Sequence, residues 1–255
     1  MKKTLLLLWV LAAVLPACCI GHLTPSMTAS AEAANTAKEV TIVVVVPTSD
    51  NSSVYRPSCA GVWITSRTFL TAYHCVDSND YESLEQQEKL GPFATVGKLI
   101  KYVTHNDTVG GSKFNRFTTV RTALVIGVSP IDDLAIASIP DEQPPQHKIA
   151  SVSRDKIYDN QQLLIVGHVD GLTYTVFNGT VSSTRLFTDG ALSKLLLQVS
   201  APIWFGNSGG AAFDSFGAIV GIVSSIRRPA PSIAFLSHRN RIEEFLDREH
   251  IIRRR

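Results

Sequence analysis

The stretch WFGNSGGAAF, residues 204 to 213, sets a single serine between a Gly-Asn pair and two glycines. Serine and glycine are frequent in turns for backbone reasons alone, so a plain glycine-rich turn is one reading. The other is chemical, with Ser208 as a nucleophile. A serine hydroxyl is weakly nucleophilic at its own pKa, so this reading requires a base within hydrogen-bond reach and a third group to orient the base. Seven histidines could serve as that base. His22 falls in a small, polar N-terminal stretch, His147 and His250 in polar segments, and His105 in the turn-like THNDT. His168 follows the apolar run LLIVG, and His238 opens the last helical pattern. His74 differs from these: it closes FLTAYHC, directly after an apolar run, and Cys75 follows it.

The cysteines strengthen His74. Of four in the chain, Cys18 and Cys19 belong to the leader region, which leaves Cys59 and Cys75. Two cysteines in an exported domain are expected to form a disulfide. A loop of this length contributes about 3 kcal/mol and would pin the His74 loop beside a strand pair. No Cys/His spacing suits a zinc site, so neither a metal nor a cofactor is expected.

Positioning such a constellation takes a rigid frame. From about residue 39 the chain consists of short β-rich runs divided by turn residues, among them VTIVVVV, GVWITSRTFLTAY, FTTVRTALVIGV, LAIASI, QLLIVG and GAIVGIVSSI. Regularly spaced runs of this kind indicate an all-β barrel or sandwich. The polar, proline-rich PDEQPPQHK, Pro140 to Lys148, divides them into two units, expected at residues 39–140 and 149–237. A single helix is expected near residues 238–252, its apolar Ile242, Phe245, Leu246 and Ile251 packing on a barrel.

Ahead of these, two lysines and the apolar run Leu5 to Ala17 make a secretory signal over residues 1–17, too short to span a bilayer as a mature helix. LPAC, Leu15 to Cys18, resembles a bacterial lipobox, in which the cysteine is lipidated; a cut after ASA, ending at Ala31, is the alternative. Residues 18–38 are small and polar and are expected to form a flexible tether. Both routes place the protein outside the cytoplasm, as a membrane-anchored lipoprotein facing the periplasm or cell exterior, or as a secreted chain. Apolar content of 45% with 18% charged residues indicates a globular fold. Lys2 and Lys3 leave with the signal, so 22 basic residues face 22 acidic ones. That balance removes the electrostatic case for nucleic acid as a partner.

CAGVWITSRTFLTAYHC, DDLAIASI and GNSGG occur in that order and together resemble the trypsin/chymotrypsin superfamily of serine proteases, most like the bacterial Deg-type and trypsin-like peptidases. LLIVGHVDGLTYTVFNGTVSSTR and GAIVGIVSS with SIAFLS resemble the second half of those enzymes, so the likeness runs from about residue 40 to 245. It implies two six-stranded Greek-key β-barrels with a C-terminal helix, and an endopeptidase acting on proteins or peptides through an acyl-enzyme. His74 would be the general base, Ser208 the nucleophile and Asp133 the orienting acid, with the adjacent Asp132 as its competitor. The N–H groups of Gly206 and Ser208 would form the oxyanion hole. Asn207 stands where activated digestive proteases carry an aspartate that binds a newly released N-terminal ammonium, so activity without zymogen cleavage is expected. By the same resemblance Pro202 lies at the base of the primary pocket, with Val223, Ser224, Ser225, Ile226 and Ser232 to Ala234 along its walls. None is charged, which implies a small or medium apolar residue before the scissile bond. The chain ends on the helix, so no regulatory extension of the PDZ type is expected. The competing reading is a catalytically silent protease fold used as a binding module. An α/β-hydrolase esterase is disfavoured, because its serine sits in G-x-S-x-G between a strand and a helix.

Overall fold

β-branched and aromatic residues favour a pleated, half-buried surface, and the runs picked out above become strands. The computed structural model describes residues 31–48, 55–77, 95–109, 116–140, 147–189, 192–227, 230 and 232–251. The leader, Cys18 and residues 19–30 of the expected tether lie outside the described residues. One closed barrel is built from β1 (Thr41–Pro47), β2 (Tyr55–Trp63), β3 (Thr68–Thr71), β4 (Leu99–Thr104), β7 (Arg121–Ser129) and β8 (Leu134–Ser138). The short pair β5 (Thr108–Val109) and β6 (Arg116–Phe117) stands apart from it. A second closed barrel comprises β9 (Gln162–Gly167), β10 (Thr175–Asp189), β11 (Leu192–Ser200), β12 (Ala211–Phe213), β13 (Ile219–Ile226) and β14 (Ile233–His238). The helices are α1 (Ala31–Val40) and α2 (Arg239–Arg248).

The closed strand orders are β1-β2-β3-β8-β7-β4 and β9-β10-β11-β14-β13-β12. Lettered within each barrel these are one order, a-b-c-f-e-d, so the same Greek-key winding is used twice although no internal repeat is visible in the sequence. Closure gives every strand of each barrel two neighbours and leaves only short stretches of backbone unpaired.

Side-chain alternation along a strand assigns the core. In β1, Ile42 and Val44 point into the first barrel, beside Trp63, Phe69 and Tyr102. Val43 and Val45 point the other way, into a layer shared by both barrels and both helices, with Val166, Phe213, Ile222 and Phe245. The second barrel has its own interior around Leu197, Ile203, Val223 and Leu236. A strand buried on both faces explains why VTIVVVV has no polar alternation.

Three boundaries differ from the sequence reading. Residues 31–38, assigned to the tether, lie in α1: the alanines favour helix, and Ala37 and Val40 are buried in the shared layer. The Thr41 hydroxyl donates to the Ala37 carbonyl at 2.7 Å, joining α1 to β1. The second barrel's strands begin at Gln162 rather than near residue 149. Residues 149–161 cross between the barrels instead, with Ala150 N–H on Trp63 O at 2.8 Å and Ser153 N–H on Ile219 O at 2.8 Å. Finally, α2 ends at Arg248 instead of continuing to 252, and Ile251 packs against the shared layer from beyond the helix. Among the described residues no helix is long and apolar enough to cross a membrane.

Candidate active site

Antiparallel pairing of β3 with β8 sets Thr71 opposite Ala135. The chain just past the end of β3 therefore meets the chain just before β8. His74 lies in the single helical turn Tyr73–Cys75 after β3, and Asp133 in the turn before β8. Asp133 Oδ1 accepts from the His74 backbone N–H at 3.0 Å, and His74 Nδ1 lies 3.0 and 2.9 Å from the two carboxylate oxygens. A carboxylate can only accept, so Nδ1 carries a proton, and in the neutral ring Nε2 keeps its lone pair. Asp133 holds a left-handed φ of 53°, a conformation aspartate tolerates better than most residues. Burial pushes its carboxyl pKa up, but the His74 ring bond, the charge of His74, the Ser224 hydroxyl and the His74 N–H together hold it below the ordinary value.

Asp132 goes elsewhere. Its Oδ2 accepts from the Ser129 hydroxyl at 2.8 Å, and its Oδ1 lies 3.7 Å from Arg241 Nε on α2. The two acids separate because the chain turns between them, and strand alternation plays no part since neither is in a strand.

The Cys59–Cys75 disulfide, with a Cα–Cα distance of 6.0 Å, ties the His74 turn to β2. The next residue of β2, Ala60, donates its N–H to the Ser208 carbonyl at 2.7 Å. Gly209 N–H donates to Val223 O, and Val223 N–H to Gly210 O, both at 2.8 Å. A Cβ on Gly209, whose φ is +80°, would stand 2.2 Å from Ala60 O and 2.9 Å from Ala72 N. Only glycine lets the serine loop dock this closely, and the docking brings Ser208 of the second barrel to the His74 turn of the first. Ser224 closes the arrangement, its hydroxyl donating to Asp133 Oδ2 at 2.6 Å. Among the described residues, no hydrogen bond joins the Ser208 hydroxyl to the His74 ring, and no acceptor takes the N–H of Gly206 or Ser208.

Asn207 is fully buried, and its side-chain amide makes no hydrogen bond. It lies so close to Gly167 that a Cβ there would fall 2.1 Å from Asn207 Oδ1. An ionised aspartate in this position would be a buried charge without a partner, which is costly.

The expected pocket residues divide by burial. Pro202, Ser225 and Ser232 are exposed, Ile226 is half-buried, and Val223 and Ser224 are buried. Ala201 N–H donates to Ser232 O at 3.0 Å, which brings Pro202 and Ser232 together. Ser224 stands at a break in the β13–β14 register, between Val223 and Ser225. β12 pairs with β13 only at Ile219, Gly221 and Ile222, so β13 from Ser224 to Ile226 has a strand partner on one side alone. The tie from Ser224 to Asp133 had no signal in the sequence, where Ser224 read as a substrate-binding residue. Cys59, His74 and Cys75 bring ligand atoms within 4.8 Å of one another, but the two sulfurs are bonded to each other and offer no thiolates. An apolar cleft of about 490 Å³ between α1 and the turn after β12, lined by Ala37, Ile149, Leu163 and Phe216 among others, shares no residue with this group.

Residues 59–222 match the family described as the trypsin-like peptidase domain. The chain is similar to the magnetosome formation protease MamE of Paramagnetospirillum magneticum, 30% identical over 135 residues, covering 52% of this chain and 17% of that protein. It is also similar to a protein of Marinomonas sp. named "Probable periplasmic serine endoprotease DegP-like", 35% identical over 104 residues, covering 41% of this chain and 22% of that one. The matched part is thus about a fifth of the length of these relatives. Among solved structures, the active form of the Rv3671c protease from M. tuberculosis superposes with a TM-score of 0.62 at 14% identity, covering 84% of this chain and 82% of that one. At that identity the likeness concerns the fold, the chymotrypsin-like pair of barrels.

Proposed function

Because the chain belongs to the trypsin-like peptidase family, we propose that it is an exported serine endopeptidase acting through His74, Asp133 and Ser208. The observation that carries the reading is one arrangement: a base oriented by an acid on the first barrel, beside a serine on the second whose loop leaves two N–H groups unspent. In this reading His74 Nε2 takes the Ser208 proton as Oγ bonds to the peptide carbonyl carbon, and the oxyanion settles on the N–H groups of Gly206 and Ser208. His74 then hands its proton to the leaving amine as the C–N bond breaks. Water, losing a proton to His74, cleaves the acyl-enzyme and restores Ser208. Asp133 stabilises the imidazolium at each stage. The substrate is a protein or peptide, added as a strand along the free side of β13 near Ser224 and Ser225. Pro202, Val223, Ile226 and Ser232 carry no charge themselves, which supports an apolar residue before the scissile bond. Asn207, uncharged and buried, supports activity without a new N-terminal ammonium. Export rests on the leader and on the periplasmic name of a relative, and a lipid on Cys18 would hold the enzyme at the membrane.

The silent binding module has one observation in its favour, the missing hydrogen bond between Ser208 and His74. Labelling with a fluorophosphonate probe separates the two readings. An un-nicked chain beginning at residue 31 is expected to label at Ser208 and to lose the label in Ser208→Ala and His74→Ala. An unlabelled but folded wild type would favour the binding module, and labelling only after nicking would overturn the activation-free reading.

A further inference from the structure

His168 takes no part in the triad, yet it is fully buried at the end of β9. Both ring nitrogens are engaged. Nε2 lies 2.9 Å from the Ile42 carbonyl of β1, and Nδ1 lies 3.0 Å from the Tyr174 backbone N. A carbonyl only accepts and an amide N–H only donates, so the proton sits on Nε2 and Nδ1 accepts. The ring therefore spans from the second barrel to the first, which carries His74 and Asp133.

The backbone around His168 backs the oxyanion loop. Gly206 has a φ of +92°, and a Cβ there would stand 2.2 Å from the His168 carbonyl oxygen. Asp170 N–H donates to Phe205 O at 3.0 Å. The Phe205 carbonyl and the Gly206 N–H belong to one planar peptide unit and point in opposite directions. Holding the carbonyl on Asp170 therefore aims the Gly206 N–H the other way, away from the Val169–Gly171 turn. The turn Val169–Gly171, which presents the Asp170 N–H, hangs between the two hydrogen bonds of His168.

From this chain of contacts we propose that His168 is a positioning residue for hydrolysis: by tying the 167–174 segment to Ile42, it sets the oxyanion donor of the second barrel against the base of the first. The proposal rests on the serine endopeptidase reading. Substitution can separate the two ring bonds. In His168→Gln the amide reaches as far as Nε2 and keeps a donor for Ile42, but loses the acceptor for Tyr174. In His168→Asn the reverse holds, and His168→Leu loses both.

The experiment measures kcat, KM and the rate of fluorophosphonate labelling at a temperature where circular dichroism reports each variant folded. His168→Leu and His168→Asn are expected to lose up to about 100-fold in kcat and labelling rate, the scale of a group misplaced by about 1 Å, with KM changed less than about 3-fold. His168→Gln is expected to recover most of that loss. Recovery by Asn instead of Gln would overturn the inter-barrel tie, as would wild-type rates in all three. A measurement on the wild type does not depend on the variants folding: the His168 Nε2–H resonance should shift when Ser208 is phosphonylated, and an unmoved resonance counts against the proposal. Wild type that labels while the variants are unaffected refutes this inference alone; wild type that never labels refutes the parent reading.

Discussion

The adjacent acids Asp132 and Asp133 share a chemistry and differ only in where the turn points them. Asp133 meets both the backbone and the ring of His74 and is further held by Ser224. Asp132 binds Ser129 and faces Arg241. Replacing Asp133 with asparagine leaves the shape but offers a donor where Nδ1–H needs an acceptor. A drop in kcat of about 10⁴-fold is expected, the scale seen when a triad acid is so replaced. Asp132→Asn should keep kcat within a few-fold and act on stability instead, by roughly 1 kcal/mol. Steady-state kinetics and thermal unfolding on the two variants check the pair; equal losses of kcat would reject the assignment. At this scale the motif DDLAIASI already favoured Asp133, but the deciding feature, a turn with φ of 53° at Asp133, is not readable from two consecutive aspartates.

At the scale of elements, the His74 turn depends on a covalent strap. The Cys59–Cys75 bond holds the His74 turn on β2 one residue away from Ala60, whose N–H grips the Ser208 carbonyl. One bond thus sits between the anchor points of His74 and Ser208, the proposed base and nucleophile. Replacing both cysteines with serine is expected to cost about 3 kcal/mol of stability, from the entropy of the opened loop. Catalysis should fall as well, since the His74 turn loses its tether. Chemical unfolding and kcat of the double variant test this, and unchanged stability would mean that the unfolded chain gains little freedom. The cysteine pair was legible in the sequence because its spacing and compartment are local properties. Helix α1 was not, since its alanines and polar residues have no strong period, and it is stabilised by the shared layer it covers.

At the scale of the whole molecule, burial holds two histidines in neutral form. His168 is pushed down to about 4, by burial above all, with the Ile42 carbonyl opposing. His238, which caps α2 by accepting from Asn240 N–H, is also pushed to about 4, by burial first and then by Arg239 and Arg241. In the unfolded chain both take up a proton near the ordinary histidine value of about 6.5. Between these values the unfolded state holds more protons than the folded one, so stability is full above about pH 6.5 and declines as pH falls toward about 4. The loss should amount to a few kcal/mol in order of magnitude. Asp133, held low, withdraws its contribution only at still lower pH, below the ordinary carboxylate value. Unfolding temperature followed from pH 7 to 4 should fall, and His168→Asn should flatten part of the slope. A flat profile over that range would show that these histidines do not couple to folding.

The sequence by itself determined the residue types and the local order of this protein: β-rich runs around a connector, a histidine beside a cysteine, an Asp-Asp-Leu-Ala turn into a strand, and a serine among glycines. Those features carry the fold class and the triad candidates because each lies within a few residues of chain. The tertiary structure decided which acid faces His74, that residues 31–38 are helix, and that Ser224 bonds to Asp133. It also decided that His168 reaches Ile42 across 126 residues of chain. Each of these is set by packing between segments distant in sequence, where burial and hydrogen bonding override what any single segment would prefer alone.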